Sequence, residues 1–122
     1  MTKNFKTVQS DRLPISHDLI PLIIEKLKGL KPYKVILFGS YARGRPKKDS
    51  DIDLLVVTND NYIPKSFNEK IELKLKVANN LDEIREFTPL DLLVFTKPMY
   101  TRFLEMDSAF SREIRTKGIP LL

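Results

Sequence analysis

The stretch YKVILFGSYARGRPKKDSDIDLLVVT, residues 33–58, decides the fold. Its first six residues form a short β-rich run that stops abruptly at Gly39-Ser40. A strand followed by Gly-Ser and then Tyr41, Ala42 and Arg43 reads as a strand turning tightly into a helix. Residues 44–50, GRPKKDS, carry no apolar side chain and read as a solvated loop. Residues 51–58, DIDLLVVT, begin in alternation and become continuously apolar, the pattern of a central strand covered on both faces.

The flanking sequence alternates in the same way. Ser16 is placed to cap a helix, with Leu19, Ile20, Ile23, Ile24 and Leu27 at helical spacing, Pro21 near its first turn, and Gly29 and Pro32 as the stop. Ser66 and Glu69 have the spacing of a capping box, and the run to Phe87 predicts one long charged helix. On that helix Phe67, Ile71, Leu75 and Ala78 form one apolar stripe, and Leu73, Val77, Leu81 and Ile84 form a second on the nearly opposite side. One stripe should cover the sheet. The other is expected to pack within the domain, with a partner interface as the alternative. Residues 89–96 predict a third strand carrying Asp91, Thr96 and Pro98 open a helix, and a last short helix closes at Gly118. With no repeat and no second composition, residues 1–122 are expected to form a single α/β domain with a small mixed β-sheet flanked by helices, residues 1–14 being a loose lead-in.

Composition narrows the chemistry. The chain has 122 residues, 42% hydrophobic and 30% charged, which suits one packed core. Twenty-one Lys and Arg against 16 Asp and Glu leave a net charge of +5, which favours an anionic partner such as a nucleotide, a nucleic acid or an acidic protein. The absence of cysteine excludes disulfides, thiolate metal sites and a Cys nucleophile. His17 is the one histidine, so a histidine-built metal site or a Ser-His-Asp triad is not expected, and His17 reads as a first-turn helix residue without a chemical role. No apolar run approaches the roughly 18 residues of a membrane span, and the N-terminal residues lack the apolar core of a signal peptide, so the expected setting is cytoplasmic.

Three features carry the chemistry. Asp51 and Asp53, two apart on a strand, project to one face, where a carboxylate pair among apolar residues calls for a cation. Such hard oxygen ligands suit Mg²⁺ or Mn²⁺. Asp91 joins the same face if the second and third strands are neighbours. Gly39-Ser40 stands where a backbone can approach a phosphate, with a hydroxyl donor in Ser40 and a guanidinium one turn on in Arg43. Each feature alone has an ordinary explanation as a cap or a turn; their combination points to phosphoryl or nucleotidyl transfer without a protein nucleophile. The aromatics Tyr33, Phe38, Phe95, Phe103 and Phe110 read as core, while Tyr41, beside Ser40, could border a nucleotide.

Gly39-Ser40, ten intervening residues and Asp51-Ile52-Asp53 resemble the GS-x10-D-x-D signature of the DNA polymerase β-like nucleotidyltransferase superfamily, and Asp91 stands where that superfamily places its third carboxylate. The stretch GSYARGRPKKDSDIDLLVV is similar to the minimal nucleotidyltransferases, or MNT proteins. The resemblance implies that Asp51, Asp53 and Asp91 are the catalytic carboxylates and hold two Mg²⁺ ions (or Mn²⁺), with ATP as substrate. It implies that Gly39 and Ser40, with Arg43, bind the phosphates. Lys47 and Lys48 could reach the triphosphate from their loop. Larger relatives add a helical domain that builds the acceptor site, and only two short helices follow Thr96 here. MNT proteins are commonly paired with a helical HEPN protein, so the resemblance implies a toxin–antitoxin module in which AMP passes from ATP to a tyrosine of the HEPN ribonuclease. The chain lacks the arginine–histidine motif of a HEPN ribonuclease, which makes it the antitoxin half. The alternatives are transfer to a small molecule or to RNA, and a basic module that neutralises its partner by binding alone. Nucleic acid is the less favoured partner.

Overall fold

Strand alternation and helix periodicity resolve into a four-stranded mixed sheet between two helical layers, in a computed structural model that describes residues 16–44, 46 and 51–122. The expected lead-in over residues 1–14, and Lys47 and Lys48, lie outside the described residues. Helix α1 (Ser16–Lys28) turns Leu19, Ile23 and Leu27 completely inward, with Pro21 in its second turn on the exposed side. It leads to β1 (Lys34–Phe38), the one-turn α2 (Gly39–Ala42) and β2 (Ile52–Val57). After α3 (Phe67–Ala78), a 3-10 turn (Asn79–Leu81) and α4 (Asp82–Arg85) comes β3 (Leu90–Phe95). Helices α5 (Lys97–Met106) and α6 (Ala109–Lys117) and a two-residue β4 (Ile119–Pro120) follow.

The sheet order is β3-β2-β1-β4, with β1 antiparallel to β2 and β4, and β2 parallel to β3. Alternation sorts the side chains. Val35, Leu37, Ile52, Leu54, Val56 and Leu92 pack under α1, α3 and α4, while Ile36, Phe38, Leu55 and Val57 pack under α5 and α6 with Tyr100 and Ile114. Two hydroxyl caps set helix starts as the sequence predicts. Ser66 Oγ accepts from the Glu69 N–H at 3.1 Å, and the buried Thr96 accepts from the Met99 N–H at 3.4 Å. No helix among the described residues is long and apolar enough to cross a membrane.

Three expectations are corrected, and one element is added. The long helix to Phe87 breaks at Asn79-Asn80, where the Asn80 amide donates back to the Lys76 carbonyl at 3.0 Å; Leu81 and Ile84, beyond the break, are buried like Leu73 and Val77 before it. The two stripes also part company. Leu73, Val77, Leu81 and Ile84 are buried with Ala78, but Phe67 is 75% exposed, and Ile71 and Leu75 are exposed as well. The favoured intramolecular covering therefore holds for the second stripe and for Ala78 of the first, but leaves Phe67, Ile71 and Leu75 exposed. Tyr33 lies on the surface between the Lys34 and Lys97 ammonium groups, each 5.7 Å from its ring centre. β4 is too short to show in the sequence pattern; it forms because Gly118 lets the chain pass close to β1, where a Cβ would come 2.6 Å from Ile36 Cγ2.

The stripes make a direct prediction. Leu73→Ala should cost about 2–5 kcal/mol in urea unfolding, whereas Phe67→Ser should stay within about 0.5 kcal/mol of the parent. A large loss for Phe67→Ser would mean that the exposed stripe is covered after all.

Candidate active site

The register of β2 fixes the site. Asp53 pairs with Phe38 of β1 on one side and with Asp91 of β3 on the other. Strands in a sheet lie about 4.8 Å apart, so the two carboxylates leave neighbouring backbones side by side. Both share the parity of Leu55, Val57, Leu93 and Phe95, which places them on the face turned toward α5 and α6. Asp51 precedes β2 by one residue, is exposed, and has the parity of Asp53.

The electrostatics follow. The Asp53 carboxyl is pushed up to about 6, first by partial burial and then by the charges of Asp91 and Asp51, with Glu113 adding to the same side. Arg43 alone among the named neighbours opposes the shift. A proton or a cation therefore finds Asp53 receptive at a pH where an ordinary aspartate is fully ionised.

Gly39 ends β1 against this carboxylate. Its φ of +75° is a left-handed conformation that side chains rarely adopt, and a Cβ there would collide with the Asp53 carboxylate oxygen. Glycine is thus demanded twice at this position. Ser40 follows in the single turn of α2, half-buried, and Arg43 closes that turn with its N–H on the Gly39 carbonyl at 3.1 Å. Tyr41 points the other way and is buried with the α1 and α3 side chains, so it does not border the site.

Arg43 has a partner that the sequence did not reveal. Its Nη1 lies 3.1 Å from Glu113 Oε2 on α6, seventy positions along the chain. Nothing in the pattern of α6 distinguishes Glu113 from a surface glutamate; only the packing of that helix on β1 brings it here. Gly39, Asp53 and Asp91 thus converge, Arg43 and Glu113 flank them, and Asp51 stands at the rim.

Among the described residues, no group of three or more carboxylate or imidazole side chains is disposed to hold an ion alone. The donor set still fits Mg²⁺ or Mn²⁺. It is all oxygen, it is anionic, and its repulsion falls when a cation enters. Mg²⁺ is commonly held by one or two carboxylates, with substrate phosphates and water supplying the other oxygens.

The chain is similar to known proteins. The Methanocaldococcus jannaschii protein MJ1379, a candidate protein adenylyltransferase, is 49% identical over 43 residues, covering 35% of this chain and 42% of its own. The chain therefore spans under half the length of that curated relative. A crystal structure of a toxin–antitoxin with AMP-PNP superposes with a TM-score of 0.51 at 27% identity, over 84% of this chain and 72% of that one. A mutant MntA-HpeT toxin–antitoxin structure gives a TM-score of 0.49 at 24% identity, over 84% of this chain and 71% of that one. The family model for the nucleotidyltransferase domain matches residues 20–97, from α1 through β3 to the first residue of α5, and so takes in both paired aspartates and the Gly39 turn. By that match the chain belongs to the nucleotidyltransferase domain family.

Proposed function

We propose that this chain is a Mg²⁺-dependent nucleotidyltransferase acting as the antitoxin of a toxin–antitoxin pair, which moves AMP from ATP to a tyrosine of a helical, HEPN-type toxin. The observation that carries the chemistry is the in-register Asp53–Asp91 pair set against the Gly39 turn. Family membership supports the reaction class, and the toxin–antitoxin structure with AMP-PNP supports both nucleotide and partner.

In this reading Asp53 and Asp91, with Asp51 at the rim, hold the divalent cation. Bound there, Mg²⁺ neutralises triphosphate charge and lowers the pKa of the attacking hydroxyl. Gly39 exposes backbone to the phosphates, Ser40 donates its hydroxyl, and Arg43 faces them with its guanidinium. Asp91 is exposed, so an acceptor can reach it, and its carboxylate takes the proton as the hydroxyl oxygen attacks the α-phosphorus. The bond to the β-phosphate breaks and pyrophosphate leaves. A tyrosine hydroxyl ordinarily titrates near 10, so it needs this activation at neutral pH.

The two paired aspartates give a pH test. Because the Asp53 carboxyl is held above its unfolded value, the metal-free protein is favoured by this group at low pH and loses that contribution as the pH rises through about 6. Asp53→Asn should therefore raise the melting temperature by a few degrees at pH 7.5 without metal, and by much less at pH 4. Stabilisation of the parent by Mg²⁺ should grow over the same window, as the ion replaces the proton. Equal effects of the substitution at both pH values would remove the account of a carboxyl raised by burial and by its acidic neighbours.

Gly39→Ala should cost upwards of about 1 kcal/mol through its backbone conformation alone, and should lower Mg-ATP affinity by displacing the Asp53 carboxylate. Calorimetry showing unchanged affinity would count against a phosphate role for this turn.

For the reaction itself, mass spectrometry of the co-expressed toxin should show AMP added to tyrosine. The additions should vanish with Asp51→Asn/Asp53→Asn. A toxin that is neutralised yet unmodified, and still neutralised by that variant, would establish inhibition by binding alone. Label passing to RNA or to a small molecule would move the acceptor elsewhere.

A further inference from the structure

We infer that Glu113 is a positioning residue, which holds the Arg43 guanidinium beside the paired aspartates but off them and so keeps that pair open to a divalent cation. The inference rests on the metal-dependent reading above. Arg43 stands within electrostatic reach of two acidic groups, Asp53 and Glu113, and its hydrogen bond goes to Glu113 at 3.1 Å.

The position of Glu113 is set by packing rather than by Arg43. Three residues earlier, Phe110 meets Phe38 edge-on at 5.4 Å and Phe103 at 5.5 Å. Ile114, the next residue, is 2% exposed in the core, and Ser111 is fully buried. The Gly118 N–H closes the helix on the Ile114 carbonyl at 3.0 Å. These contacts present a carboxylate at a fixed place beside the mouth of the site.

The pair is not there for stability. Its side chains are 47% and 35% exposed, and water screens a pair of that kind until little net stabilisation is left. Its effect is local. A guanidinium fork matches carboxylates well, and two like-charged carboxylates side by side would attract it as they attract a metal ion. Freed from Glu113, Arg43 would close on Asp53 and compete with the cation. Held by Glu113, it keeps its positive charge at the rim, where a triphosphate arrives.

Mn²⁺ titration of the whole chain, followed by electron paramagnetic resonance, tests this without turnover. Glu113→Gln should weaken Mn²⁺ binding about three- to five-fold, and Glu113→Asp should restore most of it. In an Arg43→Ala background the same Glu113→Gln change should weaken binding much less, because the competitor is gone and only the charge of Glu113 itself is lost. In transfer assays Glu113→Gln should raise the metal concentration needed for half-maximal rate while kcat at saturating metal stays within about two-fold. Mn²⁺ binding to Glu113→Gln that equals or exceeds the parent's overturns the role. So does an equal loss with and without Arg43, since Glu113 would then act by its own charge. Parent protein that binds no Mn²⁺ overturns the metal reading itself, and this inference with it.

Discussion

Two carboxylates held side by side by a parallel strand pairing are the constraint on which the rest of the site depends. Asp53 and Asp91 face each other in register, and neither can move along its strand without moving the whole strand. A slip of β2 by one residue would send Asp53 to the α1 and α3 face and bring Leu54 among the charges. The strand resists this because Ile52, Leu54, Leu55, Val56 and Val57 are all fully buried. Each such side chain contributes about 1.5–3 kcal/mol when taken out of water, so the register outweighs the repulsion it enforces.

The neighbouring elements read as responses to that constraint. β1 must end where Asp53 begins to need room, and Gly39 supplies it with no side chain and a left-handed turn. Phe38, the residue before, keeps its place in the second core and meets Phe110 of α6. One residue of β1 therefore links the Gly39 turn to the helix that carries Glu113. Gly118 then allows the chain to leave α6 and pair with β1, which ties the helix down at its far end. The charged end of the sheet face is thereby framed by apolar contacts that fix where each charge stands.

How much of this the sequence discloses depends on how local each cause is. The strands at Lys34–Phe38, Ile52–Val57 and Leu90–Phe95 follow from apolar pattern and turn residues, and the Ser66 and Thr96 caps follow from side-chain chemistry within four residues. The placement of Asp53 beside Asp91 needed one assumption, that β2 and β3 are adjacent. What stayed hidden is tertiary. The sequence could not tell that Tyr41 turns into the core, that Phe67, Ile71 and Leu75 stay exposed, or that a two-residue strand follows Gly118. Arg43 and Glu113 are seventy residues apart, and nothing local marks the glutamate. Helical periodicity finds faces; it does not say which neighbour a face will meet.

The partial exposure of Asp53 is what makes the pair usable. Deeper burial would drive its carboxyl above neutral pH, and the group would keep its proton rather than bind a cation. Full exposure would let water screen Asp91 and Asp51, and the demand for a counter-charge would fade. At about 6 the carboxyl is mostly ionised at neutral pH yet still under the field of its neighbours. Under the proposed metal-dependent function, proton and metal ion would compete for one position in the physiological range, and an incoming triphosphate would tip the balance by completing the shell that two aspartates leave open. Such a site is strained when empty and relieved when filled, which is the order of stability that a nucleotide-dependent enzyme requires.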